Sequence, residues 1–335
     1  MANHVPRAAA GIAATVLLAT SCTAPTRPAL TVYSGRSEAL TQPLIEQFER
    51  ESGLSVDVRY GGSAQLAATI LEEGGDSPAD VYYGQDAGAL GALAREERLR
   101  TLDTSVLDHV APRFRARDGR WIGTSGRVRV LAYHTDRVSE SELPDELEGL
   151  TEQRFQGRVG WAPTNGSFQA FVTAIRVLDG DDHARAWLEA MVQNGTKSYR
   201  DNTPLFEALL NGEIDVGLTN HYYLFRFLKE SPQELDVKNY SPRAGGAGAL
   251  VNIAGAGVVD STRNPEAAQE FIDFLLSKQA QTYFANETFE YPLVDGIAVG
   301  PLLQPISDIP SPDIDLSALD DLEGTLTLLE QVGVR

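Results

Sequence analysis

The sequence predicts a two-lobed α/β fold, in which two mixed sheets flanked by helices are joined by two crossing strands. Short apolar strands alternate with helices, which is typical of βαβ units with parallel strands. The same alternation starts again after residue 129. A chain of 335 residues is also too long for one small core, so two domains are the natural division.

The first part of the chain contains three predicted strand–helix units. The strands are expected at residues 30–33, 54–60 and 79–83, and the helices at 38–51, 61–73 and from about 86 onwards. Helical spacing of Leu40, Leu44 and Phe48 supports the first of these helices. Ligands of such sheets lie beyond the carboxyl ends of the strands, so we expect the three turns that follow the strands to face one cleft.

The second lobe repeats this pattern and is connected to the first by two apolar segments. Its strands are predicted at 158–162 and 214–218, and its helices at 168–178, around 187–193 and at 203–210. Residues 128–133 and 250–259 are interpreted as the crossing strands. One helix is expected at 265–284, a proline-rich connection at 301–312 and a terminal helix at 317–331. We therefore assign 30–128 plus about 252–304 to the N-lobe, and 129–251 plus about 305–335 to the C-lobe.

The first 21 residues are typical of a secretion signal. A single charge, Arg7, precedes an apolar stretch that is too short to span a membrane, and small residues follow it. The only cysteine of the chain, Cys22, comes next, as in a bacterial lipoprotein signal. We expect cleavage after residue 21, lipidation of Cys22 and a linker at 22–29, which would anchor the protein outside the cytoplasmic membrane or in the periplasm. An ordinary signal peptide with a free thiol is the alternative.

The composition excludes several classes of partner and chemistry. The formal charge is −19, which argues against binding nucleic acid and against adsorption to anionic lipid. No zinc-binding run, phosphate-binding loop or nucleophile elbow is present. Because no set of nucleophile, base and orienting group can be assembled, we expect a protein that is not an enzyme.

Tyr222 and Tyr223 follow the strand predicted at 214–218 and are the strongest candidate ligands. Two adjacent phenols provide two hard oxygen donors, which a small trivalent cation such as ferric iron prefers. A bound trivalent cation can displace the phenol proton at neutral pH. Adjacent aromatic residues also pack in ordinary cores, and this alternative stays open. The neighbouring His221 is expected to orient other groups rather than to bind metal.

Five segments in order give the chain a family resemblance. They are residues 31–35, 77–83, 125–130, 211–223 and 290–293, and the last part of the fourth segment is Asn-His-Tyr-Tyr. In this order and spacing the mature chain resembles the periplasmic ferric-iron-binding proteins of bacterial ABC transporters. The resemblance implies the type II periplasmic-binding-protein fold and a monomer. It also implies that the lobes close on Fe³⁺ and that the ion is delivered to an ABC permease with its cytoplasmic ATPase.

The resemblance implies Tyr222 and Tyr223 as metal ligands, and the chain departs from the family at other positions. Some members have a histidine, a glutamate or a third tyrosine as a ligand. The residues at these positions are here Ser37, Gln85 and Phe168, respectively. Ser37 and Gln85 are thus at most weak or indirect ligands, and Asp86 beside Gln85 is expected to cap a helix. A changed ligand, such as an oxyanion or a small organic acid, is the alternative function.

The family completes the iron site with a synergistic anion, either carbonate or phosphate. The resemblance implies an anion site formed by Arg127, Asn165, Gly166, Ser167, Asn202 and Asn220. Residues 165–167 precede a predicted helix, whose free N–H groups attract negative charge. A plain turn followed by a helix cap is the other interpretation of these three residues.

Overall fold

The computed structural model describes residues 1–2, 30–230, 235–300 and 302–334. The predicted signal segment from residue 3 onwards, Cys22 and the linker lie outside the described residues. Within the described part, no helix is long and apolar enough to cross a membrane.

The described residues contain ten strands that are connected into one sheet. The strands are β1 Leu30–Ser34, β2 Val56–Tyr60, β3 Val81–Gly84, β4 Ile122–His134, β5 Val159–Trp161, β6 Lys197–Ser198, β7 Val216–Asn220, β8 Val237–Tyr240, β9 Val251–Val258 and β10 Tyr291–Pro292. Their order is β2-β1-β3-β9-β4-β7-β5-β6, and β8 and β10 also pair with β4. The sheet is mixed, because β1 is parallel to β2 and β3, whereas β4 is antiparallel to β7 and β9.

Strand β4 connects the two halves of this sheet. Its residues 122–128 pair with β9, and residues 129–133 pair with β7. The sequence predicted the crossing strand only from residue 128. After Ile122, residues 123–127 are two glycines and three polar residues, so their hydrophobicity gives no strand signal, although they are fully buried. The second crossing strand, predicted at 250–259, is β9.

Eleven α-helices flank the sheet in the described residues. They are α1 Glu38–Ser52, α2 Ser63–Glu73, α3 Ala87–Arg95, α4 Thr104–Leu107, α5 Gly166–Asp179, α6 Asp181–Gln193, α7 Asn202–Leu210, α8 Tyr222–Glu230, α9 Pro265–Leu276, α10 Lys278–Asn286 and α11 Leu322–Gln331. The single helix predicted at 265–284 is wrong, because Ser277 has extended backbone angles and its side chain caps α10 by accepting from the Ala280 N–H. The terminal helix begins at Leu322 rather than 317, after a short 3₁₀ turn.

Helix α3 of the N-lobe packs closely against the C-terminal segment of the chain. A Cβ atom on Gly88 would lie 3.0 Å from the Leu319 carbonyl oxygen, and one on Gly91 would lie 2.8 Å from the Asp320 Cβ. The two glycines therefore permit the close approach. Helix α11 is in turn joined to α5 through the Thr173 and Thr325 hydroxyls, 2.7 Å apart. The lobe boundaries predicted above stay a prediction.

Candidate functional site

Tyr222 and Tyr223 lie directly beyond the carboxyl end of β7, as the first two residues of α8. Both side chains are buried, and their rings stack with centroids 4.6 Å apart at an interplanar angle of 27°. Burial, the neighbouring Tyr222 and Asp201 raise the pKa of Tyr223 well above its usual value. The phenol of Tyr223 is therefore neutral at neutral pH, and it would lose its proton only to a strong competing cation.

His221 lies between the two lobes and holds the start of α8 in place. Its Nδ1 accepts a hydrogen bond from the Val128 N–H (3.2 Å), and its Nε2 donates to the Phe289 carbonyl (2.8 Å). Burial lowers the pKa of His221 to about 4, so the ring is neutral near pH 7. Both ring nitrogens are occupied by backbone partners, which agrees with the predicted orienting role.

Arg127 and Arg129 lie two residues apart on β4, so they project from the same face of the strand. Both are buried, and each makes one hydrogen bond through Nη2, to the carbonyls of Ile253 (3.2 Å) and Leu218 (2.9 Å), respectively. The Nε and Nη1 atoms of both have no hydrogen-bond partner among the described residues. Unpaired buried guanidinium groups are costly, and an anion would satisfy them.

Arg129 interacts electrostatically with both members of the tyrosine pair. Burial and the positive charge of Arg127 lower the pKa of Arg129 to about 9, and Tyr222 and Tyr223 act in the opposite direction. The guanidinium group also lies over the ring of Phe168, 5.4 Å from its centroid. Sequence reasoning missed Arg129, although the alternation of side chains along β4 predicts that it shares a face with Arg127.

The predicted anion-binding residues form two groups, according to whether their side-chain polar atoms already have hydrogen-bond partners in the protein. Arg127 belongs to the first group, together with Asn202, whose two side-chain amide atoms are buried and unpartnered in the described structure. Asn165, Ser167 and Asn220 form the second group, because their polar atoms are bonded to one another. The Asn165 Oδ1 accepts from the Ser167 N–H (3.0 Å) and hydroxyl (2.6 Å), and Asn220 Nδ2 donates to that hydroxyl (3.1 Å). The role of all these residues in anion binding stays a prediction.

Gly166, the remaining predicted anion residue, is the first residue of α5 and lies against Asp86. A Cβ atom on Gly166 would be 2.4 Å from the Asp86 Oδ2, so only glycine fits here without a shift. Asp86 caps α3 as predicted, because its Oδ1 accepts from the Ala89 N–H at 3.0 Å. Its Oδ2 is buried and has no partner within the described residues. Burial raises the pKa of Asp86, while the Ala89 N–H and Arg127 oppose this shift.

Ser37 and Gln85 line a cavity of about 520 Å³ at the mouth of the cleft. Ser37 is exposed at the start of α1 and makes no side-chain capping bond. Gln85 spans the cleft, since its Nε2 donates to the Asn165 Oδ1 at 3.4 Å. Tyr222 and Tyr223 do not line this cavity. A larger cavity, about 640 Å³, lies on the opposite face of β4 beside Val128 and Val130.

Other charged groups near the site include a buried ion pair and Arg226, whose guanidinium group lies 5.8 Å from the centroid of the Tyr223 ring. Arg36 and Glu290 form a buried, two-pronged ion pair with N–O distances of 2.8 and 2.7 Å. Phe168, at the position of the third family tyrosine, is buried and packs against Trp161 with centroids 5.5 Å apart. In the described parts of the chain, no three His, Cys, Asp or Glu side chains are grouped so that they could hold a metal ion. Tyr222 and Tyr223 stay the predicted metal ligands.

Comparison with known proteins identifies the family. The model of the bacterial extracellular solute-binding proteins matches residues 33–282. The major ferric iron-binding protein of Neisseria meningitidis serogroup B is 35% identical over 95% of this chain and 98% of that protein. The Fe(3+)-binding periplasmic protein of Serratia marcescens is 32% identical over 91% and 90%. Iron-bound HitA from Pseudomonas aeruginosa superimposes with a TM-score of 0.86 at 35% identity, over 91% of this chain and 99% of that one.

The chain belongs to the bacterial extracellular solute-binding proteins and has the type II periplasmic-binding-protein fold. The resemblance to periplasmic ferric-iron-binding proteins is thereby confirmed. The strands expected for the two sheets are present, and the long strand β4 joins them into one mixed sheet of ten strands in the described residues.

Proposed function

We propose that this solute-binding protein captures ferric iron in the cleft between its lobes, with the phenolates of Tyr222 and Tyr223 as ligands. One observation supports this most directly. Two buried, stacked phenols act electrostatically on the buried guanidinium group of Arg129, which in turn is affected by Arg127, and both arginines have unpaired N–H groups. Phenolate oxygens suit a hard trivalent ion, and the guanidinium groups suit an anion that binds with it.

The anion is required by the charge and by the coordination number. Two phenolates neither neutralise Fe³⁺ nor fill its coordination sphere, and the buried arginines add positive charge. A carbonate or phosphate held by Arg127, Arg129 and Asn202 would balance the site and provide further oxygen ligands. Ser37 and Gln85 at the mouth of the cleft would contact the metal weakly or through water.

Delivery to an ABC permease with its cytoplasmic ATPase completes the proposal. Hinge movement of the lobes about β4 and β9 would open and close the cleft. Lipidation of Cys22 would keep the protein, as a monomer, at the outer side of the cytoplasmic membrane or in the periplasm. The names of the related periplasmic proteins support this location and cargo.

The central test removes one phenol oxygen at a time. Iron bound by phenolate gives a visible charge-transfer band, which should colour the protein orange to red. Tyr222→Phe and Tyr223→Phe should each lose most of the band and most of the affinity for iron. Tyr240→Phe is the matched control, because Tyr240 is a buried tyrosine that bonds to Asp145 outside the cleft. Unchanged iron binding in both site variants would refute the proposal.

A second candidate function is the binding of an oxyanion or a small organic acid without iron. The unpaired Nε and Nη1 atoms of Arg127 and Arg129 favour it, because such a pair would bind any small carboxylate or oxyanion. Thermal unfolding with citrate or phosphate, in the presence and absence of ferric ion, separates the two functions. Stabilisation by the anion alone, with no visible band on adding iron, would favour this second candidate.

A further inference from the structure

The amino end of α5, where the family resemblance places part of the anion site, faces a carboxylate of the protein itself. Asp86 is 1% exposed, and its Oδ2 lies against Gly166, the first residue of α5. Ser63 encloses the same spot, since its Cβ would be 3.2 Å from a Cβ on Gly166. The contact joins the lobes, because Asp86 belongs to the segment before α3 and Gly166 to the segment after β5.

Asp86 has one carboxylate oxygen that the cap does not use. Oδ1 accepts from the Ala89 N–H and caps α3, whereas Oδ2 is buried and has no hydrogen-bond partner in the described chain. The amino end of a helix attracts a negative group through its free N–H groups and its dipole. No N–H of the described helix α5 donates to this oxygen, and the Ser167 N–H already bonds to the Asn165 Oδ1, so the carboxylate acts on the helix end through its charge rather than through hydrogen bonds.

We infer that Asp86 is an anion built into the protein, which occupies the amino end of α5 in the closed state and leaves only the side of Arg127 and Arg129 to an external anion. The inference rests on the proposed function where it concerns iron. At the helix end, a phosphate dianion would overlap sterically with Asp86 and would be repelled by its negative charge. The external anion that fits is thus a small planar one such as carbonate, which the guanidinium groups of Arg127 and Arg129 can bind without the helix end.

The first test measures the binding of phosphate to the iron-free protein. Asp86→Asn and Asp86→Ser remove the charge but keep a side chain that can cap α3, so the fold should persist. Asp103→Asn makes the same charge change at an exposed position of the same lobe and is the control. We expect inorganic phosphate to raise the unfolding temperature of the two Asp86 variants, and to leave the wild type and Asp103→Asn unchanged. Equal responses in all four proteins would overturn the inference.

The second test follows iron affinity through the visible band, in carbonate-free nitrate buffer with and without phosphate. In the wild type, phosphate should change the affinity less than about twofold. In Asp86→Asn the affinity without phosphate should fall by about tenfold, the scale of a charge at a helix end, and phosphate should restore it. If phosphate strengthens iron binding equally in the wild type and the variant, Asp86 does not occupy the anion position. If no protein shows a band, the proposed function fails, and the iron-free test still decides the role of Asp86.

Gly166→Ala tests the contact itself. The added Cβ would be 2.4 Å from the Asp86 Oδ2, so the substitution should weaken iron binding strongly in the wild type. In the Asp86→Ser background the side chain is shorter, and the same substitution should cost much less. An equal loss in both backgrounds would show that Gly166 does not serve the contact with Asp86, and would count against the inference.

Discussion

Two pairs of buried charged groups near the cleft differ in whether their charge is compensated. Arg36 is matched by Glu290, which is itself fully buried, and two short hydrogen bonds join them. Arg127 and Arg129 are equally buried but face no carboxylate that bonds to them among the described residues. The difference teaches that burial of an arginine does not by itself indicate a binding site, whereas burial without a partner does.

The electrostatics of the two pairs agree with this distinction. Burial opposes the charge of Arg36, but Glu290, followed by Tyr83, raises its pKa above the usual value. For Arg129, burial and the neighbouring Arg127 both lower the pKa, and only the tyrosine pair acts against them. The first pair is therefore a structural connection between the turn before α1 and the segment after α10. The second is an electrostatically unfavourable arrangement that a bound anion would relieve.

The largest effect is expected from breaking the compensated pair. Glu290→Ala leaves the charge of Arg36 buried and alone, and should lower the free energy of unfolding of the iron-free protein by about 3–5 kcal/mol. Urea denaturation measures this change. Glu287→Ala is the control, because its ion pair with Lys229 is half exposed and should be worth about 0–1 kcal/mol. Equal changes in the free energy of unfolding of the two variants would contradict a structural role for the Arg36–Glu290 pair.

A second prediction concerns His221, a buried basic group that stays neutral. Its pKa is about 4 in the folded protein, below the ordinary 6.5, because of burial; Glu290 opposes the shift and Arg127 adds to it. Between these values the unfolded chain binds a proton that the folded one does not. Stability therefore falls as the pH drops from 6.5 to 4, by about 3 kcal/mol in total.

The test for His221 compares iron-free wild type with His221→Asn in urea denaturation at pH 7 and pH 4.5. Asparagine keeps polar atoms at this position but does not titrate. The variant should lose less stability than the wild type between the two pH values. Parallel losses would show that other groups govern acid unfolding.

The sequence predicted those features that depend on local patterns. The approximate positions of the predicted strands, the tyrosine pair after β7 and the cap by Asp86 follow from alternation, spacing and residue type, although strand ends differ; β7, for example, is Val216–Asn220 rather than 214–218. The first half of β4 was missed because its glycines and polar residues are buried only through the pairing with β9. The break at Ser277 was missed because apolar periodicity continues through it, although serine is a good N-cap.

The site was harder to predict, because its contacts join distant segments. The contact of Asp86 with Gly166 depends on how the segment before α3 packs against the start of α5, and no local pattern encodes that arrangement. Whether a buried arginine has a partner is likewise a property of the tertiary structure. Arg36, Arg127 and Arg129 look alike in the sequence, and only the position of Glu290 distinguishes the first from the other two.

The smallest effect on stability is expected from replacing the uncompensated arginines. Arg127→Met and Arg129→Met remove buried charges that lack partners, and methionine fills a similar volume. Because no carboxylate bonds to Arg129 or acts on its pKa, the free energy of unfolding of the iron-free Arg129→Met protein should change by less than about 1 kcal/mol or increase. Arg127→Met also removes a positive charge that favours the ionised form of Asp86, which should offset part of that gain. Arg36→Met, by contrast, leaves Glu290 uncompensated and should destabilise the protein strongly.

The same two variants should have the opposite effect on iron. Each guanidinium group would donate charged hydrogen bonds to the synergistic anion, and losing such a bond costs about 1.5–3 kcal/mol, or about 10- to 100-fold in anion-dependent iron affinity. The measurement pairs urea denaturation of the iron-free protein with titration of the visible band in carbonate. If a variant loses stability but still binds iron, the arginine it replaces has a structural role, as Arg36 does. Retained stability with lost iron binding is the outcome that only an anion-binding role explains, because the energetic benefit of these charges then exists only when the anion is present.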